Sequence, residues 1–291
     1  MLMARFISSG TPYVYLLDVY TGATCGYSLY KLRSAYAGSC MRIRRLSDNA
    51  ETDIGFLNDY LDTAAIISFA GVGGTAFVAK WYNQVAGGVD AIQTIAGTQP
   101  FIYDTGVITT VGSVNALHIT PGTGRYLNIG VQGSTSPNWG NNSLLTYVGI
   151  ATTGNAGSGF ISYNSGGTFN PEIRIGTGAS GTTLNAYWNG GYGLFNTAVG
   201  TEIFAIHATN LNTPAATTTI SQYKNNSLMA SGSRATSGWV AGASATFQIG
   251  AYSAIGNFKA GSISEFVLWN SDQSANRAGI VTNQNVRFNI Y

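Results

Sequence analysis

The stretch Phe77–Asp104, FVAKWYNQVAGGVDAIQTIAGTQPFIYD, decides how the rest of the chain is read. It opens on an apolar run, Phe77-Val78-Ala79, interrupted by Lys80 and closed by Trp81-Tyr82. β-Branched and aromatic residues at that density predict a strand, because they pack well on a pleated surface. The polar pair Asn83-Gln84 leads to Gly87-Gly88, where glycine opens backbone angles closed to other residues. A second short strand is expected over Val89–Ile95, and Pro100 introduces a third over Phe101–Tyr103.

Upstream, residues 57–74 carry the clearest helix. Asp62 or Thr63 caps it, Ala64-Ala65-Ile66-Ile67-Ser68-Phe69 fills its turns, and Gly71 ends it. Gly71-Val72-Gly73-Gly74 lacks the Lys-Ser/Thr of a phosphate loop and reads as the helix stop. Cys40–Leu46 alternates, with Met41, Ile43 and Arg45 on one face and Arg42 and Arg44 on the other. Tyr27–Leu32 fits a strand or a helical turn. Residues 1–20 read as an arm: Tyr13–Val19 is apolar and β-prone, either a first strand or an attachment segment.

Downstream the pattern is strand, turn, strand. Strands are expected at Ala116–Ile119, Tyr126–Ile129, Ser143–Ala151, Gly159–Tyr163, Glu172–Ile175, Leu184–Trp188 and Glu202–Ala208. Thr217–Tyr223, Lys224-Asn225-Asn226-Ser227 and Leu228–Ser231 form a hairpin whose Asn-Asn turn suits positive φ. Closing strands occupy Phe247–Gly250 and Phe258–Trp269, and a capped helix ends the chain. No fixed-period repeat or linker divides it, so residues 21–291 are expected to form one domain.

Composition agrees with β and loop. The 291 residues include 38 Gly, 17 Tyr and 13 Phe, and only 9% are charged, against about 25% in ordinary domains. The surface is therefore covered by uncharged polar residues. A net charge of +2 argues against nucleic acid as a partner. Arg42, Arg44 and Arg45 are followed by Asp48, Glu51 and Asp53, which predicts local pairing on a solvated surface. Two cysteines, Cys25 and Cys40, allow one disulfide but no disulfide scaffold, and no zinc-ligand spacing is present. No metal or cofactor is expected. No apolar run approaches the roughly 20 residues of a membrane span, and no secretory signal is read at the N-terminus.

Trp81-Tyr82-Asn83-Gln84, the glycines, Asp90-Ala91-Ile92-Gln93 and Gln99-Pro100 together resemble the Y-D-Q-S-G-N-G segment of the arabinofuranosidase B catalytic domain. So do the segment from Leu29-Tyr30 to Ser47-Asp48 and the Asp-Thr-Ala-Ala of the helix. Phe247–Trp269 is similar to the closing strands of laminin-G-like sandwiches, and the tail to phage virion proteins of that shape. The resemblance spans roughly residues 16–291. It implies an all-β fold: a concanavalin A-like jelly-roll β-sandwich with one or two short helices.

The resemblance carries the fold further than the activity. Asn83 stands where the motif has Asp, and Val85-Ala86-Gly87-Gly88 where it has S-G-N-G. The family's acidic stretch and adjacent Cys pair are missing, and only Glu172, Glu202, Glu265 and Asp272 supply carboxylates after residue 105. Glycoside hydrolysis uses two carboxylates flanking the bond. The expectation is therefore a protein that is not an enzyme. Its expected role is a structural virion subunit of a tailed phage, on the particle exterior, partnered by copies of itself and other virion proteins and able to contact host glycans. A carbohydrate-binding module is the alternative, and an arabinofuranosidase-like hydrolase, dependent on Glu172 or Glu202, the next. Sugar contacts would fall to Trp139, Tyr163, Trp188, Tyr192 and Trp239, aromatics in or beside Gly/Asn-rich loops. His118 and His207 are expected to be satisfied strand histidines.

Overall fold

The computed structural model describes residues 14–120, 124–130, 141–151, 159–164, 173–177, 184–187, 195–196, 202–210, 217–235, 246–252, 257–258 and 261–291. In chain order the strands that build the frame are β1 (Ala23–Ser28), β2 (Met41–Arg45), β3 (Glu51–Ile54), β4 (Ala76–Trp81), β5 (Ala91–Ile92) and β6 (Phe101–Asp104). Then come β7 (Leu117–Ile119), β8 (Leu127–Ile129), β9 (Ser143–Ala151), β10 (Gly159–Asn164), β11 (Ile173–Thr177) and β12 (Leu184–Tyr187). The last are β13 (Phe195–Asn196), β14 (Glu202–Thr209), β15 (Thr217–Lys224), β16 (Ser227–Ala235), β17 (Thr246–Ile249) and β18 (Gly261–Trp269). The helices are α1 (Leu16–Val19), α2 (Thr63–Ala70) and α3 (Arg277–Phe288).

The strands pair antiparallel in two layers. The front layer runs β1–β18–β9–β14–β15–β16. The back layer runs β3–β2–β4–β5–β8–β17–β10–β11–β12–β13. β6 pairs with β4, and β7 with both β6 and β18, so hydrogen bonding passes from one layer to the other. The expected β-sandwich is the fold observed.

Alternation decides what each layer buries. On the inner face of the front layer Tyr27 stands opposite Phe266, Phe266 opposite Tyr147, and Tyr147 opposite Phe204. This aromatic row packs with Ile43, Val78, Trp81, Ile129, Phe247 and Ile249 of the back layer into one core. Ring centroids lie 5.8 Å apart for Tyr27–Trp81, 5.3 Å for Phe247–Phe266 and 4.8 Å for the stacked Tyr147–Phe204 pair. Such contacts add about 0.5–1.5 kcal/mol each beyond area burial. The outer face of the front layer presents Leu144, Val148, Ile203, Val267 and Trp269, covered by Leu16 and Leu17 of α1 and by Ile280, Val281 and Phe288 of α3. The α3 residues fall at i, i+1 and i+8, one stripe of a helix.

The stretch Phe77–Asp104 ties the layers together. β4 leaves the back layer at Trp81, and the next two side chains bond the front layer's edge. Asn83 Oδ1 accepts from the N–H of Gly26 and of Val85, each at 3.0 Å. Gln84 is buried; its Oε1 accepts from Leu32 N–H at 2.7 Å. Its Nε2 donates to the carbonyls of Ser28 and Tyr30 at 3.1 and 2.9 Å. A Cβ on Gly88 would fall 1.9 Å from Asn83 Nδ2, so any other residue there would have to displace the Asn83 amide. The second strand is shorter than the expected Val89–Ile95. Gln93 turns the chain out of it by accepting from Ile95 N–H at 3.0 Å.

Helix α2 starts and stops where expected, with Asp62 accepting from Ala65 N–H at 3.0 Å and Gly71 at φ 83°. The N-terminal segment differs. Residues 16–19 form a helix, not a strand, and Leu16 and Leu17 are buried. Asn283 Nδ2 of α3 donates to the Val14 carbonyl at 2.9 Å. The described end of the expected arm is therefore packed on the domain; residues 1–13 lie outside the described residues. Arg42 and Arg45 pair with Asp53 and Asp48 at 2.8 and 2.6 Å, but Arg44 is buried rather than solvated. Cys25 and Cys40 are buried free thiols, not a disulfide, and burial holds both well above the ordinary thiol range.

Candidate functional site

Sorting the carboxylates of the second half locates the site. Glu265 of β18 is fully buried on the outer face of the front layer, in a bidentate pair with Arg287 of α3 at 2.5 and 2.7 Å. Ser28 Oγ donates to it at 2.6 Å and Gln284 Nε2 at 2.9 Å. All its capacity is spent on fixing α3 to the sheet. Asp272 stands 3.3 Å from His207 Nε2 and accepts from Ser274 N–H, which holds its carboxyl below the usual range. Glu172 lies outside the described residues.

Glu202 is placed differently. It opens β14 on the same side as Phe204 and Ile206, which face the core. Lys224 Nζ lies 3.3 Å from its Oε1, and Asn225 Nδ2 donates to its Oε2. Asn225 is delivered by the expected hairpin turn, where Asn225 and Asn226 take φ of 47° and 68°. Most side chains resist that region; Asn tolerates it. Asn225 Oδ1 accepts in turn from Ile203 N–H at 3.0 Å, so the turn is stitched to the start of β14. Asn226 reaches the other way, bonding the Ala278 carbonyl and Thr282 of α3 at 3.1 and 3.2 Å.

Around Glu202 the inner face turns from apolar to polar. In β9, Gly149 stands opposite Glu202, and a Cβ there would meet the Ser262 carbonyl oxygen at 2.3 Å, so the backbone of β18 requires glycine at this position. Tyr147 stacks on Phe204, and burial together with the Glu202 charge pushes its hydroxyl far above the normal phenol range. It therefore stays protonated. Gln222 of β15, opposite Ile206, is fully buried, and among the described residues neither atom of its amide has a hydrogen-bond partner. A buried amide group left unbonded costs about 1–3 kcal/mol. Carboxylate, ammonium, phenol and unpartnered amide thus share one face over three adjacent strands. Such a set can bond sugar hydroxyls, and the carboxylate can supply one half of an acid–base pair.

Of the aromatics expected to contact sugar, Trp139, Trp188, Tyr192 and Trp239 lie outside the described residues. Tyr163 is described only in its backbone, opposite Phe247 in β17. Sequence reasoning named Glu202 but missed Gln222 and Tyr147. The signal for Gln222 was available: Thr218, Ile220 and Gln222 alternate onto one buried face, where an amide is out of place. His118 is satisfied as expected, with Nδ1 2.9 Å from Ser262 Oγ. Among the described residues no group of three or more His, Cys, Asp or Glu is placed to hold a metal ion. No described helix is long and apolar enough to cross a membrane.

Comparison with known proteins gives a fold relationship. No protein-family model matches the chain, and no curated protein sequence does. Among solved structures it is similar to a GH54 α-L-arabinofuranosidase soaked with 4-nitrophenyl α-L-arabinofuranoside, with a TM-score of 0.68 at 16% identity. A GH54 α-L-arabinofuranosidase soaked with a cyclic sulfate inhibitor gives 0.68 at 15%. An arabinofuranosidase complexed with arabinofuranosyl-α-1,2-xylobiose gives 0.64 at 17%. Each match covers 96% of this chain, which spans 66% of the enzyme's chain. The expectation of a non-enzymatic protein is corrected by these neighbours, which are all glycosidases. The expected virion role draws no support from them.

Proposed function

We propose that this chain is a carbohydrate-active domain of the glycoside-hydrolase type, taking an arabinofuranoside-like sugar at the Glu202 end of the sandwich. The observation that carries the reading is the inner-face set itself. Glu202 is held at a defined position by Lys224 and Asn225, and further along the same face, opposite Ile206, the Gln222 amide has no hydrogen-bond partner among the described residues. A polyhydroxylated ligand supplies the donors and acceptors that such an amide lacks. The buried, stacked Tyr147–Phe204 pair backs the Glu202 end of that face from within the core. The fold shared with the arabinofuranosidase structures supports the same reading.

Hydrolysis needs a second carboxylate. With Glu265 bound to Arg287 and Asp272 beside His207, Glu172 is the second-half carboxylate left to provide it. The test is release of nitrophenol from 4-nitrophenyl α-L-arabinofuranoside by the chain and by Glu202→Gln and Glu172→Gln. The expected outcome is turnover that each substitution lowers at least a hundredfold, in the range general acid–base groups contribute, with the melting temperature unchanged. Absence of both turnover and arabino-oligosaccharide binding in the wild-type chain would remove the proposal.

A further inference from the structure

We propose that Arg44 and Arg125, set over Phe77 and Phe101 on the outer side of the back layer, bind the carboxylate of an acidic sugar. Phe77 alternates with Ala76 and Val78, which face the core, so it looks out of the sandwich. Its ring lies 4.9 Å from that of Phe101. The Arg44 guanidinium sits 4.6 Å from the Phe77 ring centre, and that of Arg125 sits 4.2 Å from Phe101 and 5.1 Å from Phe77. Gln99 holds the two together: its Oε1 accepts from Arg44 Nε at 2.7 Å and its carbonyl from Arg125 Nη1 at 2.5 Å.

Among the described residues both charges lack a counter-ion. The remaining Arg44 bonds go to Asn49 Oδ1 at 2.7 Å and the Ala96 carbonyl at 3.0 Å, so all its acceptors are neutral although the residue is only 6% exposed. Arg125 Nε is buried with no acceptor. Among the described residues neither guanidinium forms an ion pair. Burial lowers the affinity of both for their protons, and the Arg44 charge lowers that of Arg125 further. Asp104 and Glu51 act in the opposite sense, but from outside ion-pair distance. Two like charges in a poorly solvated place are relieved by an anion. The planar fork of arginine matches a carboxylate in two parallel hydrogen bonds. Phe101, partly exposed where Phe77 is buried, gives apolar surface to a sugar ring carrying that carboxylate. Arg44 is already held by three protein oxygens, so Arg125 is the member that gains the ligand.

The inference rests on the glycan-directed reading but concerns another face, since Glu202 looks into the sandwich from the front layer. The experiment is calorimetric titration of the full chain with a galacturonic acid trimer, a neutral arabino-oligosaccharide and inorganic phosphate, repeated with Arg125→Gln and Arg125→Lys. The expected result is binding of the acidic trimer that Arg125→Gln weakens about tenfold or more, as loss of a charged hydrogen bond does. Arg125→Lys, which keeps the charge but not the fork, weakens it less. Raised ionic strength weakens it too, and neither variant alters neutral-sugar binding. Equal binding of the trimer by wild type and Arg125→Gln, no binding of it, or phosphate binding as tight as the trimer overturns the inference. Loss of neutral-sugar binding alone, with the trimer still bound, counts only against the Glu202 site.

Discussion

Glu265 and Glu202 flank the same strand. Val148 of β9 stands opposite Glu265 and Gly149 opposite Glu202, so the two carboxylates are one residue apart along the sheet and on opposite faces. The outer one is enclosed by α3 and saturated by Arg287, Gln284 and Ser28. The inner one has one ammonium and one side-chain amide, and its face carries, opposite Ile206, a glutamine with no bond among the described residues. Residue type and sheet position are alike; what differs is how far the surroundings complete the group. A carboxylate completed by its own protein holds structure. One left incomplete is available to a ligand.

The largest effect expected from this contrast is at the outer carboxylate. Glu265→Ala leaves the Arg287 charge buried and unpaired, and breaking a buried pair costs about 3–5 kcal/mol. Arg287→Met leaves the carboxylate stranded at similar cost. Replacing both by apolar residues of similar volume, Glu265→Leu with Arg287→Met, restores most of the loss, because the desolvation penalty of both charges disappears together. Urea titration of the three variants decides it. If the double variant is no more stable than either single one, the pair does more than balance its own charges, and the contrast with Glu202 needs another basis.

A second effect, about 2–3 kcal/mol, is expected at the bolt between the layers. Gln84→Ala deprives one N–H and two carbonyls of their bonds at a buried edge. Gln84→Glu keeps the acceptor for Leu32 and loses the donor, so it should also destabilise rather than rescue. Thermal unfolding at neutral pH measures both. This residue shows what was legible in the sequence. The Asp62 cap acts through a bond three residues away and the Asn225-Asn226 turn through its own φ angles, so local pattern reveals both. The Trp81–Gln84 motif was legible as a spacing, while its partners Gly26, Ser28, Tyr30 and Leu32 lie more than fifty residues off and only the fold shows them. Arg44 was misread as solvated, and residues 16–19 as extended, because their burial comes from Gln99, Phe77 and α3, brought in by the fold and not by neighbouring sequence. The candidate site was half legible for the same reason. Glu202 could be found by scarcity of carboxylates, but only the register of β14 and β15 shows that Gln222, opposite Ile206, lies on the same inner face.

The smallest stability effects, and the sharpest separation of the two faces, are expected on the inner side. Gln222→Leu removes an amide that makes no hydrogen bond and replaces it with apolar volume among Ile206, Ile220 and Tyr147. Removing an unsatisfied group from a core relieves its desolvation cost, so the melting temperature should hold or rise, by up to about 1–3 kcal/mol in stability. Glu202→Gln gives up its ion pair with Lys224, but the neutral amide can still accept from Lys224, so the loss is expected to be smaller than at Glu265. Both variants should nevertheless lose arabino-oligosaccharide binding, which Glu265→Leu with Arg287→Met should keep. Stability and binding would then move in opposite directions on the two faces of one sheet. A Gln222→Leu protein that loses stability and retains binding would mean the amide is satisfied in solution by ordered water. Gln222 would then belong with Gln84 as part of the frame, and Glu202 would stand alone as the inner-face group left for a ligand.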